Sequence, residues 1–224
     1  MLRIGHRGAA ALARENTIES LRLAVELGCD LVEFDVQALE GALIVVHDRP
    51  EAGATGLPTL DDALDFLAGT DAGVHLDLKA RGAGSAVADA LRRHGLVDRT
   101  LVSSFRSDML REFGALERRV WLGLTYPGDP TGLAHQPWAR PLVRASLAAL
   151  KTSLPRRLPR LLSRAGGSAA VLNVGVVSEE AVAGCHALGV PVLVWTIDDP
   201  GWLPRLEAMG VDGVITNDPR IFRG

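Results

Sequence analysis

The run Leu31-Val32-Glu33-Phe34-Asp35-Val36 sets two carboxylates inside a β-branched and aromatic stretch. In an extended chain alternate side chains leave on one face, so Glu33 and Asp35 point together, away from Val32, Phe34 and Val36. Two acids on one face of an apolar strand repel each other and lose hydration unless a cation lies between them. Val74-His75-Leu76-Asp77-Leu78-Lys79 repeats the pattern, with His75, Asp77 and Lys79 sharing a face. Polar side chains near the ends of apolar strands fit a barrel, where strand ends open into a mouth that carries the chemistry.

Working outward, short apolar runs alternate with helically spaced stretches along the whole chain. The predicted strands are Leu2–Gly5, Leu31–Val36, Val74–Leu78, Thr100–Ser104, Arg119–Thr125, Ala169–Val174, Val190–Thr196 and Gly213–Thr216. The predicted helices are Thr17–Leu27, Leu60–Leu67, Ser85–Arg93, Ser107–Phe113, Leu142–Arg164, Glu179–Leu188 and Gly201–Met209. Asn16 or Thr17, Ser107 and Ser178 are the expected caps, and Gly28, Gly95, Gly189 and Gly210 the expected stops. Eight strands separated by helices predict an α/β fold, a single-domain (β/α)8 TIM barrel over residues 1–224. The competing open doubly wound sheet lacks a GxGxxG after the first strand.

Composition excludes several classes. At 224 residues, 47% hydrophobic and 23% charged, the chain is an ordinary globular one rather than a disordered one. No apolar run approaches bilayer length, and the N-terminal Met1-Leu2-Arg3-Ile4-Gly5-His6 lacks a signal-peptide core, so a cytoplasmic setting is expected. Cys29 and Cys185 make neither a disulfide framework nor a metal knuckle. The net charge of −3 does not point to nucleic acid. Between Asp129 and Glu179 there is no acid, while Arg140, Arg144, Lys151, Arg156, Arg157, Arg160 and Arg164 are all basic.

Glu33, Asp35 and Asp77 are the candidate ligands of one divalent cation, and an all-oxygen set selects Mg²⁺ or Ca²⁺ over zinc. Lys79, one of only two lysines, would add positive charge for an anionic substrate. His6 ends the first strand, and His47 ends the extended run Gly41-Ala42-Leu43-Ile44-Val45-Val46. Both are candidate general acid or base. His75, one layer deeper than Asp77, is either a hydrogen-bond partner behind the ligands or core filler. His94, His135 and His186 lie in helical or loop contexts and are assigned no role.

His6-Arg7-Gly8, Glu15-Asn16-Thr17, Gly28 to Val36 and Val45-Val46-His47-Asp48 resemble the glycerophosphodiester phosphodiesterase family in order and spacing. Leu76-Asp77-Leu78-Lys79, Ser103-Ser104-Phe105, Val194 to Asp198 and Gly210 to Asn217 extend the likeness over nearly the whole chain. It is weakest around residues 126–172. The resemblance implies a TIM barrel hydrolysing glycerol-3-phosphate diesters, with Glu33, Asp35 and Asp77 as metal ligands and His6 and His47 as the acid/base pair. It further implies phosphate contacts from Arg7 and Lys79, a substrate-lining Trp195 and a supporting Asn16. Two positions depart from the family pattern. Asp77 stands where glutamate is usual, and the insertion after the His-Asp motif is nearly absent.

Lysophospholipids are the alternative substrates under the same site. An inactive barrel acting as a binding module is a rival of a different class, and both histidines with three carboxylates argue against it, since unused buried charge is costly. An unrelated barrel isomerase is disfavoured by the same cluster and by the missing cofactor motif. Residues 128–167 exceed an ordinary barrel connection. They are expected to form either a helix with a kinked extension, broken or kinked at Pro155 and Pro159, or a basic flap at the mouth that meets an anionic membrane surface.

Overall fold

Parity along the strands organises the whole molecule. The computed structural model describes residues 1–51, 53–128 and 136–223. Its strands are β1 (Leu2–Gly5), β2 (Leu31–Leu39), β3 (Ala42–Val45), β4 (Gly73–Leu78), β5 (Thr100–Ser104), β6 (Trp121–Tyr126), β7 (Ala169–Asn173), β8 (Val192–Trp195) and β9 (Gly213–Thr216). Eight of them run parallel in the order β1-β2-β4-β5-β6-β7-β8-β9 and close back on β1, giving a TIM barrel. One residue set, with Ile4, Leu101, Ala169, Val171, Leu193 and Ile215, packs inside the ring. The other set, with Val32, Phe34, Leu76, Val102, Leu172 and Val194, packs outward under the helices. Burying each such side chain contributes about 1.5–3 kcal/mol against the entropy of ordering it.

The helices are α1 (Ile18–Glu26), α2 (Leu60–Ala68), α3 (Gly84–Arg93), α4 (Ser107–Leu116), α5 (Arg140–Ala165), α6 (Glu179–His186) and α7 (Leu203–Ala208). Thr17 and Ser178 cap α1 and α6 through their side chains, as expected. Ser107 does not; it lies inside α4, whose first position follows an uncapped Arg106. The extended run before His47 is β3, antiparallel to β2 with Val36 opposite Val45 and Leu39 opposite Ala42. Glu40 and Gly41, at φ 49° and 87°, make the left-handed two-residue turn such a hairpin needs.

α5 covers the predicted helix Leu142–Arg164 as one element and continues through Pro155 and Pro159 without a break. Each proline removes one donor, freeing the carbonyls of Lys151 and Pro155. Lys151 and Pro155 are themselves partly exposed. The second half of α5 is an ordinary barrel helix, with Leu154, Leu158, Leu162 and Ala165 buried and Arg156, Arg157, Arg160 and Arg164 exposed. Its first half stands over the barrel mouth. His135 and the rest of 129–135 lie outside the described residues. Among the described residues no helix is long and apolar enough to cross a membrane.

Candidate active site

The inward set turns polar toward the C-terminal ends of the strands. Register aligns Glu33 with His75, and Asp35 with Asp77, which in turn pairs with Ser103. Opposite them Gly123 keeps β6 open; a Cβ there would meet Val171 Cγ2 at 2.9 Å. The result is a cavity of about 1120 Å³ whose floor holds His6, Arg7, Glu33, Asp35, Asp77 and Lys79.

Glu33, Asp35 and Asp77 are all buried, and each brings a carboxylate oxygen within 4.8 Å of the others. Burial, with the charges of Asp35 and Asp77, pushes the Glu33 carboxyl well above its ordinary range. Burial also opposes ionisation of Asp35, but Lys79, Arg7 and the Asn16 amide outweigh it and hold Asp35 below the ordinary range. Lys79 Nζ lies 3.1 Å from Asp35 Oδ1 and pairs with Asp77 Oδ2. These two partners overcome the burial of Lys79 and keep it charged above its usual range. An ammonium carries three donors, so one remains for a substrate oxygen. The residues expected to hold a cation are thus together, and their oxygen donors suit a hard one.

Arg7 and Asn16 are placed by strained backbone. Both sit at left-handed φ, 50° and 57°, a conformation costing on the order of 1–3 kcal/mol for a non-glycine residue. Arg7 N–H donates to Glu33 Oε2 at 2.7 Å, and its carbonyl accepts from Ser20 Oγ and Asn16 N. Gly8 allows this approach, because a Cβ there would fall 2.4 Å from the Ser20 backbone. The Arg7 side chain lies against Asp35 Oδ2 at 3.3 Å, an ion pair without hydrogen-bond alignment, and binds Glu15 at 2.8 Å. Asn16 Nδ2 donates to Asp35 Oδ2 at 2.9 Å, and Asn16 Oδ1 accepts from Asp35 N at 3.1 Å.

Hydrogen-bond accounting fixes the state of His6. Asn217 Nδ2 donates to Asp198 Oδ2 at 2.7 Å, so its Oδ1 is the atom facing His6 Nδ1 at 2.7 Å. An acceptor there demands Nδ1–H, which leaves Nε2 bare toward the cavity, 4.0 Å from Glu33 Oε2. Burial, assisted by the Arg7 charge, lowers the His6 pKa. His47 follows β3 at the rim, half-buried, with Nδ1 2.9 Å from the exposed Asp48 carboxylate.

The same accounting applies to His75. Ser103 Oγ donates to Asp77 Oδ1 at 2.9 Å, so the 2.9 Å contact with His75 Nε2 requires Nε2–H. Burial lowers His75 to about 3, consistent with a neutral ring, and Nδ1 has no partner. His75 therefore orients Ser103, which orients the short Asp77. Trp195 lines the mouth edge-on to Phe105, ring centres 6.0 Å apart. Lys79 Nζ lies 5.1 Å from the centre of the Phe105 ring. His94 binds Asp61 and Asp65 on the surface, and His186 binds Asp212. Sequence reasoning names no role for Asn217, Asp198 or Ser103, although all three fall inside the quoted motifs.

The model of the glycerophosphoryl diester phosphodiesterase family matches residues 6–63 and 54–221. A glycerophosphodiester phosphodiesterase of Caldanaerobacter subterraneus subsp. tengcongensis is 26% identical over 96% of the chain and 93% of its own length. A probable glycerophosphodiester phosphodiesterase of Mycobacterium tuberculosis is 29% identical over 98% and 88%. Among solved structures, an Oleispira antarctica phosphodiesterase in complex with the product sn-glycerol-3-phosphate superposes with a TM-score of 0.78. It has 22% identity and covers 100% of this chain and 95% of its own.

Proposed function

Because the chain belongs to the glycerophosphoryl diester phosphodiesterase family and is a phosphoric diester hydrolase, we propose that this barrel cleaves glycerophosphodiesters to sn-glycerol 3-phosphate and an alcohol. In this reading a divalent cation, Mg²⁺ or Ca²⁺, is held by Glu33, Asp35 and Asp77. The observation that carries it is the convergence of three buried carboxylates beside a bare His6 Nε2. When bound, the cation supplies Lewis-acid polarisation of a phosphoryl oxygen.

His6 Nε2 accepts the proton of the nucleophile, either water or the glycerol 2-hydroxyl; in the second case a cyclic phosphate forms first, and water then opens it to sn-glycerol 3-phosphate. As the bond from phosphorus to the leaving oxygen breaks, His47 delivers a proton to that oxygen. The third donor of Lys79, with Arg7, offsets charge gathering on the phosphoryl oxygens. Trp195 borders the substrate, and Asn16 holds Asp35 in place. Two buried thiols suit a reducing, cytoplasmic setting. The exposed arginines of α5 provide a weak contact for an anionic membrane surface.

The test is release of sn-glycerol 3-phosphate from glycerophosphoethanol, with and without a chelator. Activity that survives chelation overturns the cation. A nitrophenol leaving group, which needs no proton, should rescue His47→Ala and not His6→Ala. Equal rescue overturns the assignment of the pair.

A further inference from the structure

α5 has two halves that differ in what they face. From Leu154 on, its apolar stripe is buried against the barrel, with Leu154 0%, Leu158 2% and Leu162 3% exposed. Val143, Leu147 and Leu150 continue the same stripe toward the N-terminus at helical spacing. There the described residues do not cover the stripe fully, and these side chains are only partly buried. They line the same cavity as the carboxylates, together with Leu142. Within residues 140–150 only Arg140, Arg144 and Ser146 are polar. A helix end left to water would carry a polar stripe in those positions.

The wall is seated firmly. Leu147 lies on the loop after β7, where a Cβ on Gly175 would meet Leu147 Cδ1 at 2.9 Å. Phe105, packed over Gly128, and Trp195 form other apolar parts of the mouth. At the outer edge of the cavity the apolar character persists, since Leu142 is 59% and Trp138 73% exposed. Among the described residues the cavity therefore has a charged floor and an apolar wall that runs outward to its rim. Such a division fits one molecule with an anionic centre and a hydrocarbon arm.

We propose that the first three turns of α5 accept an alkyl chain carried by the diester, so that this enzyme favours diesters with a hydrophobic arm over those with small polar headgroups. The inference rests on the reading that the floor cleaves glycerophosphodiesters. It adds no step to the chemistry, since the bond broken and the proton transfers are unchanged. The chain can come from either side of the phosphate, on the leaving alcohol or as an acyl group on the glycerol.

Two substrate series below their micellar concentrations separate these sources: glycerophosphoalkanols from ethyl to octyl, and 1-acyl-glycerophosphocholines from acetyl to octanoyl. Glycerol phosphate or its acylated form is quantified as product. In at least one series kcat/KM should rise at least about tenfold across the six added methylenes, because each one fully buried is worth about fourfold. The series that rises names the side carrying the chain. The Leu142→Asn, Val143→Asn double variant, altered at an exposed and a half-exposed position, should collapse the long-to-short ratio toward one while melting like the wild type. Cleavage of short diesters with a flat response in both series overturns the apolar wall and leaves the proposed function standing. Cleavage of no member overturns both. A steep response unchanged in the double variant also overturns the role of α5.

Discussion

Replacing Asn217 by alanine tests the assignment of His6 as base through an atom that touches no substrate. Asn217 Oδ1 is the acceptor that selects the Nδ1–H tautomer, at 2.7 Å. Alanine deletes it together with the Nδ2–H donated to Asp198 Oδ2, while Asp198 Oδ1 still accepts from residue 217 N at 2.8 Å and Thr216 Oγ1 at 3.1 Å. A hydrogen bond of net worth about 0.5–1.5 kcal/mol converts to a loss of about 2- to 13-fold in the productive tautomer. His6→Ala removes the base itself and should cost about 10²- to 10⁴-fold in kcat. In the His6→Ala background, Asn217→Ala should then cost nothing more, since its only route to the reaction is gone. Asp198→Asn, which frees the Asn217 amide to turn over, should fall in the same range as Asn217→Ala. Steady-state release of sn-glycerol 3-phosphate measures all four enzymes. Independent losses that multiply in the double variant, or an Asn217→Ala enzyme at full rate, would refute the tautomer argument.

Glu33→Ala should abolish hydrolysis and leave the melting temperature close to wild type, because it loses a ligand and also relieves repulsion, whereas Asp35→Ala should abolish hydrolysis and lower the melting temperature, because Lys79 and Arg7 each lose a buried partner; substantial remaining activity in either rules that residue out as a ligand. Ser103→Ala should weaken Mg²⁺ or Ca²⁺ binding about 10- to 100-fold in a calorimetric titration, because Asp77 loses the hydroxyl that orients it; unchanged affinity removes Ser103 from that role. Arg119 and Arg92 hold Glu117 down to about 2, below its ordinary 4.5. Its stabilisation is present above the ordinary value and disappears as pH falls through about 2, so Glu117→Gln should flatten the wild-type loss of stability between those values, and parallel denaturation profiles would show the ion pairs to be idle. Reversing the exposed Arg156, Arg157 and Arg160 to glutamate should abolish salt-sensitive cosedimentation with anionic vesicles, and a wild type that does not sediment at low salt has no such surface.

How much of this was legible depends on the range of the interaction. Glu33, Asp35 and Asp77 were readable because strand parity is local, and an acid inside an apolar run contradicts its neighbours at a distance of one residue. The barrel was readable from the same alternation repeated eight times. The His6 tautomer was not, since its partner Asn217 lies 211 residues away and that partner's own orientation depends on Asp198. Whether Pro155 and Pro159 break the helix was not legible, because intrinsic propensity argues for a break or kink, while Leu154, Leu158 and Leu162 gain enough from the barrel to keep the helix whole. Ser107 has the right chemistry for a cap, yet the chain enters α4 one residue earlier. The apolar end of α5 reads in sequence like any core stripe; only its overhang past the barrel rim gives it a different neighbour.

The β2–β3 hairpin divides this chain into places where length can vary and places where it cannot. His47 is carried on a strand outside the closed ring, tied to β2 by Val36 opposite Val45, by Val46 N–H donating to Asp35 O, and by Gln37 Nε2 donating to His47 O. One ribbon thus holds the proposed proton donor and two of the proposed cation ligands. A one-residue insertion or deletion between Val36 and the Glu40–Gly41 tip would slip the ladder and carry the opposite strand to the wrong face. A pair of residues added symmetrically at that tip would only lengthen the arm. Descent with change is therefore channelled: lineages can lengthen the hairpin tip in matched pairs, or rebuild the loop downstream of Asp48, without moving His47 relative to Asp35.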